Sequence, residues 1–276
     1  MALHGTSPKI YLFQKSNAFS VLKTYFHILF GRSNLVRLAL KMRLKDRKTI
    51  EKQGNLPLIN LHKSLEVIRN QSLEKYPHYD YGAGYNYQSF SELNLSGFRA
   101  TETRVSALDL NDVLSGKTVL DIGSNMGSVL FNVRESIKYG LGVEINEFLV
   151  EQSQLIAKHL KVNNKLEFQS IPFEQVSKTQ HEFDAILSLA NHSTFDGNTK
   201  QSLDSYFHKI HNLLTDDGIL IFESHPPELE PADSLQKTIN LMADYFLTTK
   251  VDVQGLDGFL DKNRTYFFCK KKNEQI

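Results

Sequence analysis

The sequence predicts an α/β protein built on a doubly wound sheet of seven strands, parallel except for its antiparallel final strand, with an N-terminal helical extension. Three observations carry that prediction. From Lys117 onward, short apolar runs alternate with helical patterns, as strand–helix–strand units do. One run, Val119-Leu120-Asp121-Ile122-Gly123, ends in a glycine turn and passes straight into a helical pattern. The last two apolar runs have only a loop between them, and a parallel crossover needs about a dozen residues or more, so they pair antiparallel.

Taken in order, Thr118–Ile122 is the first strand and Ser128–Val133 opens a helix. Tyr139–Ile145 is the second strand, and Asn146 caps a helix carrying Phe148, Leu149, Leu155, Ile156 and Leu160. Leu166–Gln169 and Phe183–Leu189 are the third and fourth strands. Leu203, Phe207, Ile210 and Leu214 recur at helical spacing, so Leu203–Leu214 is a helix. Gly218–Glu223 is the fifth strand and Leu235–Tyr245 a helix. Phe246–Val253 and Thr265–Lys270 complete the seven. This main domain spans residues 100–276, opening with a helix at Ala100–Leu110.

Residues 49–99 read as a cap or lid segment. Leu58–Ile68 is helical, and Tyr76–Phe90 is an aromatic, glycine-containing loop with five tyrosines. Residues 1–48 read as a basic amphipathic arm. They hold ten Lys or Arg against Asp46 alone, a net charge of +9, so the remainder of a chain of net charge +1 carries −8. Such an arm suits an anionic partner, lipid or RNA. The apolar stretch Phe19–Phe30 is interrupted by Lys23 and His27 and is too short to span a bilayer, which takes about 20 apolar residues. In Leu35–Leu44, Arg37, Lys41 and Lys45 line one face and Leu35, Leu38, Ala39 and Met42 another. The helix could lie on an anionic membrane by its apolar face or pack on the body with a solvated basic face.

At 276 residues, with 41% hydrophobic and 23% charged residues, the chain can build a sizeable core. The single cysteine, Cys269, excludes an intrachain disulfide and a cysteine-rich metal site. That suits a reducing compartment, and the expected location is the cytoplasm, with peripheral membrane contact as one role for the arm.

The chemistry concentrates in Asp121-Ile122-Gly123-Ser124-Asn125-Met126-Gly127. Gly123 lets the backbone turn and approach a ligand, and Gly127 lets the following helix start close to it. The free N–H groups of a helix start favour polar or anionic groups. Glu144 ends the second strand, 21 positions after Gly123, where a carboxylate can accept both hydroxyls of a ribose. Turn and carboxylate together, each in its strand context, are far more specific than either alone.

On these residues the sequence resembles the class I S-adenosylmethionine-dependent methyltransferases, whose first motif reads Asp-x-Gly-x-Gly-x-Gly. Asn125 stands where the middle glycine is usual. The resemblance covers about residues 100–271 and implies a Rossmann-like fold with S-adenosylmethionine as cofactor. It implies that Asp121, Gly123, Ser124, Asn125 and Gly127 hold the methionine part and Glu144 the ribose. Ser170 and Ile171 would flank the adenine, and Leu189, Ala190 and Asn191 would face the sulfonium. The stretch Ser96-Gly97-Phe98-Arg99 followed by Thr101-Glu102-Thr103-Arg104 resembles one found before the first motif in some bacterial methyltransferases encoded with surface-sugar genes. Arg99, or Arg104 in its place, would pair with the cofactor carboxylate.

Methyl transfer needs a positioned nucleophile and sometimes a base. Three candidates sit at strand ends, where open sheets bind ligands: His192, His225 and Glu223. Their plainer reading is as polar loop residues at helix starts. The same three resemble a metal-ligand set, but the reading taken is without a metal. The rigid Pro226-Pro227 loop favours a positioned His225. The expected acceptor is a small polar molecule, a sugar or lipid-linked sugar, methylated on oxygen. An RNA methyltransferase acting on ribose or phosphate oxygens is the alternative, and a non-catalytic cofactor-binding scaffold the third reading. Asn191-His192-Ser193-Thr194 lacks the Asp/Asn-Pro-Pro-aromatic pattern of enzymes acting on the exocyclic amines of bases.

Overall fold

The computed structural model describes residues 34–77, 81–178, 182–192, 201–256 and 264–273. The expected patch Phe19–Phe30 lies outside them.

Helix α1 (Asn34–Gln53) ends at Gly54, whose φ of 64° suits a residue without a Cβ. Helix α2 (Leu56–Lys75) starts behind Asn55, whose side chain accepts the Leu58 N–H at 3.2 Å. It stops at Tyr76 because Pro77 disfavours a helical residue before it. Both helices outrun the apolar patches that predicted them, because their ends are set by caps and breakers. The apolar side of α1 points inward. Ala39, Leu40, Leu44 and Ile50 are buried, and Leu35, Val36, Leu38 and Met42 pack against Ala83, Tyr85 and Phe98. Arg43, fully buried, pairs with Glu66 of α2 at 2.5 Å. Lys41, Lys45 and Lys48 face solvent. Of the two expectations for this helix, the packing agrees with the one that sets it against the body with a solvated basic face.

The tyrosine-rich stretch is less loop-like than expected. Strand β1 (Asn86–Gln88) pairs in parallel with β2 (Gly97–Arg99). The single helix expected at Ala100–Leu110 is two, α3 (Thr101–Ala107) and α4 (Leu110–Val113), separated by Asp109 in the left-handed region at φ 52°. Aspartate is among the few residues that take that conformation cheaply.

The main sheet is built from β3 (Thr118–Ile122), β4 (Tyr139–Val143), β5 (Leu166–Gln169), β6 (Phe183–Leu189), β7 (Leu214–Glu223), β8 (Phe246–Val251) and β9 (Tyr266–Lys271). Its order is β5-β4-β3-β6-β7-β9-β8. Strands β3 to β7 are parallel, and β9 runs antiparallel to both β7 and β8. The central strands read as unbroken apolar runs because both faces are covered. One face packs Val119, Leu187 and Ile221 against α5 (Ser128–Val133), α6 (Glu147–Leu160) and the N-terminal helices. The other packs Leu120, Ile186 and Phe222 against α7 (Leu203–Leu213) and α8 (Ala232–Tyr245). The seven strands, their parallel run and the antiparallel last strand are those expected. Among the described residues, no helix is long and apolar enough to cross a membrane.

Candidate active site

The turn after β3 is shaped by three left-handed residues: Gly123 at φ 64°, Asn125 at φ 53° and Gly127 at φ 80°. Asparagine tolerates that region better than other side chains, which is how Asn125 stands in for a glycine. A Cβ on Gly127 would sit 2.6 Å from the Phe168 ring, so this position has no room for a side chain. The Ser124 N–H donates to the Val143 carbonyl at 3.1 Å and ties the turn to β4. Glu144 follows β4 directly. Its carboxylate accepts the Asn125 N–H at 3.1 Å and the Asn146 N–H at 3.0 Å, so it clamps the turn to the start of α6.

Asp121 is 2% exposed, and its Oδ2 has no hydrogen-bond partner. Burial raises its pKa to about 7; Arg104 opposes the rise and Glu144 adds to it. Arg104 is buried too. Its Nη1 donates to Glu223, while its Nε and Nη2 have no partner. A buried carboxyl oxygen and a buried guanidinium edge thus stand unpartnered in one electrostatic neighbourhood. Buried polar groups are ordinarily paired. These two match the ammonium and carboxylate of an amino acid such as the methionine part of S-adenosylmethionine. After β4 and β5, Ile145 is 44% exposed, Ser170 is exposed and Ile171 is half-buried.

At the ends of β6 and β7 the polar groups are tightly interlinked. Ala190 is left-handed at φ 59°, and Leu189, Ala190 and Asn191 are half-buried. The Asn191 amide donates to the Ile122 carbonyl, and its Oδ1 accepts Ser188 Oγ–H at 2.9 Å and Tyr206 O–H at 3.1 Å. Glu223 is fully buried between Arg99 at 2.6 Å, Arg104 at 3.1 Å and Arg264 at 3.9 Å. Burial would raise its pKa, but the three guanidinium groups hold it at about 2. His192, 1% exposed, meets Glu230 Oε1 through Nε2 at 3.0 Å, and its Nδ1 has no partner. The His225 ring lies 4.6 Å from that of His192, and the His225 backbone N–H donates to Glu230 Oε2 at 2.9 Å.

Residues 114–265 match the family described as a methyltransferase domain. The chain belongs to that family. The methyltransferase has no match among curated proteins. Its scaffold is similar to that of the N-methyltransferase NodS from Bradyrhizobium japonicum WM9, at 14% identity over 62% of this chain and 96% of that one, TM-score 0.48. It is similar also to the tRNA (m1A58) methyltransferase TrmI from Aquifex aeolicus, at 17% identity over 63% and 69% of the two chains, TM-score 0.47. The PH0226 protein from Pyrococcus horikoshii OT3 resembles it at 17% identity over 62% and 90%, TM-score 0.48. The methyltransferase takes S-adenosylmethionine as its cofactor.

Several sequence expectations change against this geometry. Glu223 does not fit the role of base or metal ligand, because three guanidinium groups enclose it and keep it ionised. Arg99 is committed to Glu223, so the guanidinium edge open to a cofactor carboxylate belongs to Arg104. The Asn191 side chain is turned into the strand ends, where it locks the glycine turn; only its backbone remains for the crevice. Among the described residues, no group of three or more His, Cys, Asp or Glu could hold a metal ion. Glu230, Arg264 and Ile145 were not singled out in the sequence. An apolar residue directly after a ribose-type carboxylate could have marked Ile145. Nothing local marks Glu230 or Arg264, which reach the site from loops.

Proposed function

We propose that the methyltransferase O-methylates a small polar acceptor, a sugar or lipid-linked sugar, and that His192 takes the proton of the acceptor hydroxyl. The observation that carries this reading is the bare, buried Nδ1 of His192 at the end of β6, where open sheets receive their ligands. Imidazole suits deprotonation near neutral pH. Asp121 would hold the cofactor's ammonium, Arg104 its carboxylate and Glu144 its ribose hydroxyls. Ile145 and Ile171 would flank the adenine, and Leu189 and Ala190 would face the sulfonium. When bound, the cofactor supplies a methyl group on a positively charged sulfur. The chain's own part is to orient the acceptor, exclude water and remove one proton.

A second reading, methylation of ribose or phosphate oxygens in RNA, draws on the exposed stripe Lys41, Lys45 and Lys48 and on the exposed ring of Tyr81.

The test begins with calorimetric titration of S-adenosylhomocysteine into the protein and into Glu144→Ala. Micromolar binding that weakens by about 1–3 kcal/mol in the variant is expected, the usual cost of leaving polar groups unpaired. Methyl-labelled cofactor is then offered with a polar small-molecule extract or with total RNA. Label in the first fraction, lost in His192→Ala, supports the proposal. Label in RNA alone overturns it, and binding without any transfer favours the non-catalytic scaffold.

A further inference from the structure

Glu230 has no chemical task in the site so far, yet it holds both of the site's histidines. It lies on the loop that links β7 to α8, five residues beyond His225. Its Oε1 meets His192 Nε2 at 3.0 Å and accepts the Thr238 hydroxyl at 2.9 Å. Its Oε2 accepts the His225 N–H at 2.9 Å. The carboxylate therefore ties together the loop after β6, the loop after β7 and helix α8. It is 6% exposed. Burial alone would raise its pKa, but the His192 contact, the His225 N–H and the Thr238 hydroxyl outweigh that and hold it at about 2. With the Thr238 hydroxyl donating to one oxygen and the His225 N–H to the other, the group stands as an acceptor.

An anionic carboxylate only accepts hydrogen bonds. The ring nitrogen facing it must therefore carry the proton, and in a neutral imidazole the other nitrogen is then bare. In His192 that other nitrogen is Nδ1, which is buried and has no hydrogen-bond partner among the described residues. The ring cannot easily turn away, since it packs 4.7 Å from Phe222 and 4.6 Å from His225.

We propose that Glu230 is the positioning residue of His192: it fixes the Nε2–H tautomer, leaves Nδ1 as the proton-accepting atom, and holds the imidazolium that forms. The inference rests on His192 being the base. In the step it serves, the acceptor O–H bond breaks as the oxygen takes the methyl carbon. The proton goes to Nδ1, and the electron pair of the broken C–S bond stays with sulfur. The charge left on the ring is then neutralised across the 3.0 Å contact to Glu230. Glu230 touches no reacting atom and acts on the proton through His192.

Long-range nitrogen–proton spectra of the histidine rings, assigned by His192→Ala, test this directly. In the wild-type protein above pH 7.5, His192 should show a protonated Nε2 and a bare Nδ1. Glu230→Gln should lose that single-tautomer signature. It should still bind S-adenosylhomocysteine within about twofold of wild type, and its label transfer to the polar extract should fall tenfold or more. A protonated Nδ1 in wild type overturns the inference, and so does an unchanged tautomer in Glu230→Gln. The wild-type spectrum decides even if the variant does not fold. Absence of S-adenosylhomocysteine binding would sink the cofactor pose instead, and the tautomer result would tell that failure apart.

Discussion

In the proposed pose Asp121 holds the cofactor's ammonium, and it then sets the pH behaviour of that end. Its pKa is raised to about 7 by burial, so near neutrality much of it is protonated in the free protein. An ammonium partner needs the ionised form. Affinity for S-adenosylhomocysteine should therefore rise between pH 5.5 and 7, by up to about tenfold per pH unit, and level off above. The stability sign is opposite. A carboxyl raised in the folded state destabilises the fold at pH above its unfolded value, and the penalty grows until pH passes the folded value. Asp121→Asn should thus raise the melting temperature at pH 8, by no more than about 4 kcal/mol of stability, while flattening the pH dependence of binding. Equal pH slopes in the two proteins would refute this assignment. The place of Asp121 before a tight turn was legible because its neighbours in sequence, Gly123 and Gly127, form that turn. The fate of Glu223 was not, because its partners Arg99 and Arg104 lie 124 and 119 positions away.

At the scale of elements, α2 is held to the turn after β1 by a histidine that stays neutral. His62, buried, meets the Leu93 carbonyl at 2.7 Å through Nε2. Burial lowers its pKa to about 4, opposed by the Leu93 contact and helped by Arg69 and His159. A histidine lowered in the folded state contributes full stability above its unfolded value, near 6.5, and loses it as pH falls toward 4. That loss amounts to as much as about 3 kcal/mol. The urea midpoint of wild type should drop more between pH 7.5 and 5 than that of His62→Gln; parallel curves would show that this contact carries no acid sensitivity. The long elements were readable in the sequence because periodicity and caps agree, as at Asn146, whose side chain accepts the Phe148 N–H at 3.0 Å. The short ones were not. Strands β1 and β2 have three residues each, below any periodic signal, and the break at Asp109 carries neither glycine nor proline.

For the whole molecule, the N-terminal segment and the sheet share one buried charge cluster. Arg99 and Arg104 come from the segment before the sheet, Arg264 from the approach to β9, and Glu223 from the end of β7. Removing one partner from such a cluster costs about 3–5 kcal/mol, because the remaining charges are left buried and uncompensated. Thermal unfolding should therefore be a single transition that S-adenosylhomocysteine shifts upward as a whole. Glu223→Gln should lower it steeply and broaden or split it. Two transitions in the wild type would mean that the lid melts on its own.

The placement of β9 between β7 and β8 also fixes an order of events during synthesis. Strand β8 leaves the ribosome before β9, its partner, and β7 waits with one edge bare. Exposed strand edges invite pairing with other chains. A nascent chain stalled before Tyr266 would thus carry two sticky edges at once, and its safe arrival depends on a closing strand of six residues.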